Sequence, residues 1–101
     1  VTSLKRSPAL PDVPTLDEIG FKNFEANGWL AIMVPNGTPA EIVARLNAEL
    51  TKTMQNPDLR KTLIGQGIES RTGTPQELGA LLTSDTTKWH KIIQDAGIKA
   101  D

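Results

Sequence analysis

Trp29-Leu30-Ala31-Ile32-Met33-Val34 is the stretch on which the fold turns. Six apolar residues in a row place no polar side chain on either face of an extended chain. That pattern suits a strand covered on both sides, as in parallel sheets flanked by helices, and it predicts the centre of the core. Immediately downstream, Pro35-Asn36-Gly37 marks a turn, and Thr38-Pro39-Ala40-Glu41 reads as a helix start. In such a start the hydroxyl accepts from the third helical amide, the acid reaches back, and proline occupies the first helical position without loss of a hydrogen bond. From Pro39 to about Gln55, Ile42, Val43, Leu46, Leu50 and Met54 recur at spacings of three and four. This is one amphipathic helix, about 25 Å long at 1.5 Å per residue.

Further out, Asn56-Pro57 restarts the capping logic for a short helix carrying Leu59, Leu63 and Ile64, which Gly65 or Gly67 closes. Ile68 to Arg71 reads as a brief strand. Thr74-Pro75-Gln76-Glu77 repeats the capping box and opens a long final helix on Leu78, Leu81, Leu82, Trp89, Ile92 and Ile93, with Gly97 as its left-handed cap. Only Asp85 and Thr86 interrupt that stripe. Upstream, Thr15 and Glu18 form a third capping box, predicting a short helix that ends at Gly20. Ser7 to Pro14 holds three prolines and serves as a connector, and Val1 to Leu4 reads as a strand remnant. The order strand, helices, strand, helix implies an α/β unit with a right-handed crossover.

At 101 residues the chain has room for one small domain or a piece of a larger one. Eleven Lys and Arg against twelve Asp and Glu give a net charge of -1. With its basic residues scattered, the chain offers no cationic stripe for nucleic acid or an anionic membrane. The absence of cysteine removes disulfides, thiolate metal sites and a thiol nucleophile, and the single His90 removes His-rich metal sites. The longest apolar run is far short of the about 20 residues that span a bilayer. The chain opens on Val1 without an initiator Met or a basic-then-apolar leader, so its start reads as a cut, with any targeting segment lying outside it.

Candidate catalytic groups have ordinary explanations. Asp12, Asp17, Glu18 and Glu25 fall around prolines and a helix start, where acids serve locally. Glu41 and Glu77 read as capping-box acids. His90 with Ser84 or Asp85 supplies the residue types of a hydrolytic triad, but all lie on one helix without a strained nucleophile turn. Gly65-Gln66-Gly67 follows a helix and does not open one, so the dinucleotide fingerprint fails on context. Asn36-Gly37-Thr38 presents amides at a helix start, as any capped turn does.

The remaining candidates are ligand contacts. Trp29 either fills the core or turns its ring and N–H toward a ligand at the strand end. Thr2 and Ser3 place two hydroxyls at a strand end, where open α/β sheets commonly bind small molecules; surface polarity explains them equally well. No metal site is expected.

The ordered string Arg6-Ser7-Pro8-Ala9-Leu10-Pro11-Asp12-Val13-Pro14-Thr15, with Glu18 and Gly20, resembles the tripartite tricarboxylate transporter substrate-binding family, the Bug or TctC receptors. The likeness runs on through Trp29, Val34-Pro35-Asn36-Gly37-Thr38-Pro39, Glu41 to Asn47, Asn56-Pro57, Gly65-Gln66-Gly67, Gly73-Thr74-Pro75, Trp89 and Ala96-Gly97-Ile98-Lys99. The resemblance implies part of a type II periplasmic binding protein, its two α/β lobes closing on a small carboxylate without cofactor or covalent chemistry. This chain would be its helix-rich C-terminal segment, with a short, mainly buried sheet. Residues 1–28 would supply a strand end and the proline-rich crossing with its short helix, and residues 29–101 would complete one lobe. By position in that family, Thr2, Ser3, Asp12 and Trp29 reach the cleft. Where the family often has an aromatic residue and then glycine after the tryptophan, this chain has Leu30 and Ala31.

The expected partners are thus a small carboxylate and membrane transporter subunits, with a periplasmic location and no enzymatic activity. Helix faces made to pack on absent strands would also lead such a piece to dimerise or swap elements. The rival reading is a stand-alone α/β helical module that binds a protein partner through exposed apolar faces.

Overall fold

Each helix forms where capping and periodicity predict one. A computed structural model describes residues 1–99. Helix α1 spans Ala40–Met54, α2 spans Pro57–Gly65 and α3 spans Pro75–Asp95. At the head of α2, the Asn56 side chain accepts from the amides of Asp58 and Leu59 at 2.9 and 3.2 Å. At the head of α3 the capping box is complete. The Glu77 amide donates to Thr74 Oγ1 at 3.1 Å, and Glu77 Oε2 accepts the Thr74 amide at 2.7 Å.

The two later helices stop in the same way. Gly67 and Gly97 take positive φ of 75° and 64°, a conformation open to glycine at little cost. The following amides of Ile68 and Ile98 then reach back to Leu63 and Ile93 carbonyls at 2.9 and 3.1 Å, which is the Schellman closure.

The start of α1 differs from expectation. No side chain caps it, because the Thr38 hydroxyl instead donates back to the Pro35 carbonyl at 2.8 Å. Glu41 is accordingly a first-turn acid and not half of a capping box. At Thr15 the box forms, but the predicted short helix does not. The backbone makes a single turn, with Ile19 donating to the Thr15 carbonyl at 3.3 Å and Gly20 to Asp17 at 3.4 Å, before Gly20 departs at φ 113°.

The expected sheet requires a larger correction. Among the described residues there is no strand. Trp29 to Val34 runs as a free extended segment whose backbone finds no hydrogen-bond partner there. Leu30 is 93% exposed and Ile32 66%, so the segment is not the centre of a core. Ile68 to Arg71 makes no strand pairing, its one backbone bond being the Ile68 amide's return to Leu63 at the end of α2, and Val1 to Leu4 makes isolated bonds without a ladder. A both-sided apolar strand needs neighbours on two edges and covering layers on two faces, and three helices in this arrangement supply neither.

No hydrophobic side chain among the described residues is buried; Thr15, at 2% exposure, is the one side chain that is. Of the helices, only α1 and α2 pack closely on each other. Helix α3 is attached by single bonds, such as that from Asn47 Nδ2 to the Gly73 carbonyl at 2.8 Å. The radius of gyration is 16.7 Å, against about 13 Å for a compact domain of this length. The layered α/β unit with a crossover is therefore absent among the described residues, which form helices and loops without a buried apolar side chain.

Candidate ligand-binding residues

The first 26 residues form an arch whose ends meet. The Val1 amine donates to the Pro14 carbonyl at 2.7 Å, Leu16 donates to the Val1 carbonyl at 3.0 Å, and Ala26 donates to the Thr2 carbonyl at 3.1 Å. Three prolines fix φ along the arch, and Leu10 and Val13 close two turns by donating to Ser7 and Leu10. Arg6 ties the arch across. Its Nε donates to both Glu18 oxygens at 3.0 Å, and its Nη1 donates to the Pro11 carbonyl at 3.0 Å. Glu18 Oε2 also accepts the Thr15 amide at 2.7 Å.

These contacts hold the Glu18 carboxyl below its ordinary pKa, the Arg6 hydrogen bonds first and the Thr15 amide second. Asp17 is lowered as well, chiefly by the Asn23 amide and then by Lys22. Asn23 sits at φ 58°, a left-handed position that asparagine tolerates, and its amide donates to Asp17 Oδ1 at 2.8 Å. Neither acid is poised as a catalyst; each is kept ionised by a local structural bond.

Thr2, Ser3 and Asp12 all lie on this arch. Thr2 and Asp12 are exposed. Ser3 is half-buried, and its hydroxyl donates to the Lys5 carbonyl at 2.6 Å. Trp29 belongs to a different place. Its Nε1–H donates to Asp85 Oδ2 at 2.6 Å across 56 residues of sequence, and Lys88 Nζ donates to the nearby Glu25 carbonyl at 2.5 Å while lying 5.1 Å from the Trp89 ring centre. Trp29 and Trp89 wall an open groove of about 520 Å³, with Leu82, Asp85 and Thr86 on the α3 side. Thr2, Ser3 and Asp12 do not line it. The Trp29 N–H thus anchors the 25–29 segment to α3.

Arg6 and Asp85 hold roles that the sequence did not assign to them. Asp85 carried a signal, as an acid in an apolar stripe. Arg6 carried none, because its partners lie five and twelve residues away on a loop without periodicity. His90 and Ser84 are exposed on α3, and no group of three or more metal-ligating side chains occurs among the described residues. None of the described helices is long and apolar enough to cross a membrane.

Comparison with known proteins gives a consistent result. The model of the family described as tripartite tricarboxylate transporter family receptor matches residues 1–98. The protein encoded in the tcbD-tcbE intergenic region of Pseudomonas sp. strain P51 is 41% identical over the whole chain, which spans 30% of that protein. BugT of Bordetella pertussis is 28% identical over 98% of the chain and 30% of BugT. Among solved structures, that of the periplasmic binding protein BugD superposes with a TM-score of 0.81 at 33% identity, over 99% of this chain and 34% of BugD. The chain therefore spans about a third of the length of these relatives.

Proposed function

The chain belongs to the tripartite tricarboxylate transporter receptor family, and from that membership we propose that it is the C-terminal portion of a periplasmic receptor that captures a small carboxylate for membrane transporter subunits. The observation that carries this reading is the likeness to the BugD periplasmic binding protein over 99% of the chain. The splayed helices and bare apolar faces agree with it, since a segment that is a third of a lobed receptor leaves open the faces on which the rest packs. In this reading residues 1–28 form the crossing between lobes, and residues 29–101, of which the last two lie outside the described residues, complete one lobe. Thr2, Ser3 and Asp12 face the cleft from the arch. Trp29 contributes ring surface only, its N–H being held by Asp85. Capture is non-covalent and follows lobe closure, which a ligand drives only when the closed form gains contacts with it.

A thermal-shift series with acetate, succinate and citrate tests the proposal on this chain and on a receptor of full family length that contains it. The full-length receptor gains about 2.7 kcal/mol at a ligand concentration of 100 times Kd, while this chain alone does not shift. No shift in either with any of the three acids counts against a carboxylate receptor.

The exposed apolar segment from Leu30 to Val34 also favours a second reading for the chain on its own, in which two copies dimerise or swap elements. Sedimentation tests it: a discrete dimer supports the exchange, which is compatible with the receptor portion, and a monomer whose bare faces bind an apolar dye supports the receptor portion without exchange. A monomer that binds no dye would favour a self-sufficient interaction module.

A further inference from the structure

We propose that Arg6 is the positioning residue of the arch, fixing through Glu18 and Thr15 the place of the chain segment that carries Thr2 and Ser3. Its relevance to solute capture rests on the receptor reading above; the positioning itself rests on geometry alone.

The contacts form a continuous relay. Arg6 holds both oxygens of Glu18. Glu18 holds Thr15 from two sides, its carboxylate accepting the Thr15 amide and its own amide donating to Thr15 Oγ1 at 3.1 Å. Thr15 is the buried side chain of the described structure, and its two neighbours grip Val1, Pro14 through its carbonyl and Leu16 through its amide. Thr2 follows Val1 and is held on its other side by Ala26. The fourth arm of the relay is the Arg6 bond to the Pro11 carbonyl, which pins the far limb of the arch to the same guanidinium.

The side-chain type follows from this. The guanidinium serves the Glu18 carboxylate from Nε and the Pro11 carbonyl from Nη1, whereas an ammonium has to reach both from one nitrogen. The prolines already limit what the arch can do, so one further tie across it removes most of the remaining freedom. A binding segment held in place before the ligand arrives loses less entropy on binding.

Amide hydrogen exchange on the 101-residue chain tests this directly. In Arg6→Ala, protection at Thr15, Leu16 and Ala26 falls about fivefold, while amides in the middle of α3, such as Leu81, keep theirs. Arg6→Lys restores Thr15 and Leu16 in part, through Glu18, but not fully, because the Pro11 tie is lost. Unchanged protection at Leu16 and Ala26 in Arg6→Ala, or complete restoration by lysine, overturns the assignment. If Arg6→Ala also loses α3 protection, Glu18→Gln decides: loosening of Leu16 with α3 intact supports the relay, and an unaltered Leu16 overturns it. Absence of a shift with acetate, succinate and citrate alike in the full-length receptor would remove the receptor reading and leave these exchange results standing.

Discussion

Two acids in this chain, Asp85 and Glu18, do their work at the level of a single hydrogen-bonded group. Asp85 interrupts the apolar stripe of α3 because an indole N–H arrives there from Trp29. Asp85→Ala removes the acceptor and leaves that N–H to water, with an expected loss of about 1 kcal/mol. In a Trp89→Phe background, Trp29 emission shifts to the red, whereas Asp85→Asn, whose amide oxygen still accepts, largely retains the parent spectrum. Glu18, Asp17 and Glu77 all have folded pKa values below their ordinary ones. The unfolded chain therefore binds protons first as the pH falls. The contribution of these acids is complete above the unfolded carboxyl values, about 3.9 for Asp and 4.3 for Glu, and is lost as pH drops through the lowered folded values. Arch amides followed by exchange from pH 6 down to pH 3 should lose protection in that acid range and show no step near neutrality.

At the scale of elements, the sequence was legible wherever the decisive interactions were local. Asn56-Pro57 and Thr74-Pro75-Gln76-Glu77 fixed two helix starts, and Gly67 and Gly97 fixed two stops, because cap and capped group lie within a few residues. The same pattern misled at Thr38, whose hydroxyl had a nearer carbonyl at Pro35. The two threonines therefore make a paired prediction. Thr74→Ala destabilises α3 by about 1 kcal/mol, the usual value of a lost N-cap, and lowers helical circular dichroism. Thr38→Ala removes no cap from α1 and stays within about 0.5 kcal/mol. Equal losses at both would mean that Thr38 caps after all. At Thr15 the side-chain box forms as read but the expected helix does not, the chain leaving after a single turn through positive φ at Gly20 and Asn23.

For the whole molecule, legibility failed where covering partners were needed. The six apolar residues from Trp29 to Val34 specify burial on both faces, yet nothing in the string states what does the burying, and among the described residues nothing does. The same limit applied to the candidate site: Thr2, Ser3 and Asp12 could be named from their positions, but the Arg6 tie and the Trp29–Asp85 bond depend on contacts that spacing does not encode. Leu30 turns this into a measurement. At 93% exposure it touches almost nothing, so Leu30→Ala in the 101-residue chain changes stability by less than about 0.5 kcal/mol and reduces apolar-dye binding. In a receptor of full family length, where we propose that the rest of the lobe covers this segment, the same substitution removes a packed side chain and costs about 2–5 kcal/mol. Denaturant melts of both proteins with and without the substitution give the difference. A small loss in both contexts would show that Leu30 stays exposed in the receptor and that the apolar segment serves an external partner; a large loss in the 101-residue chain would show that a second copy already covers it.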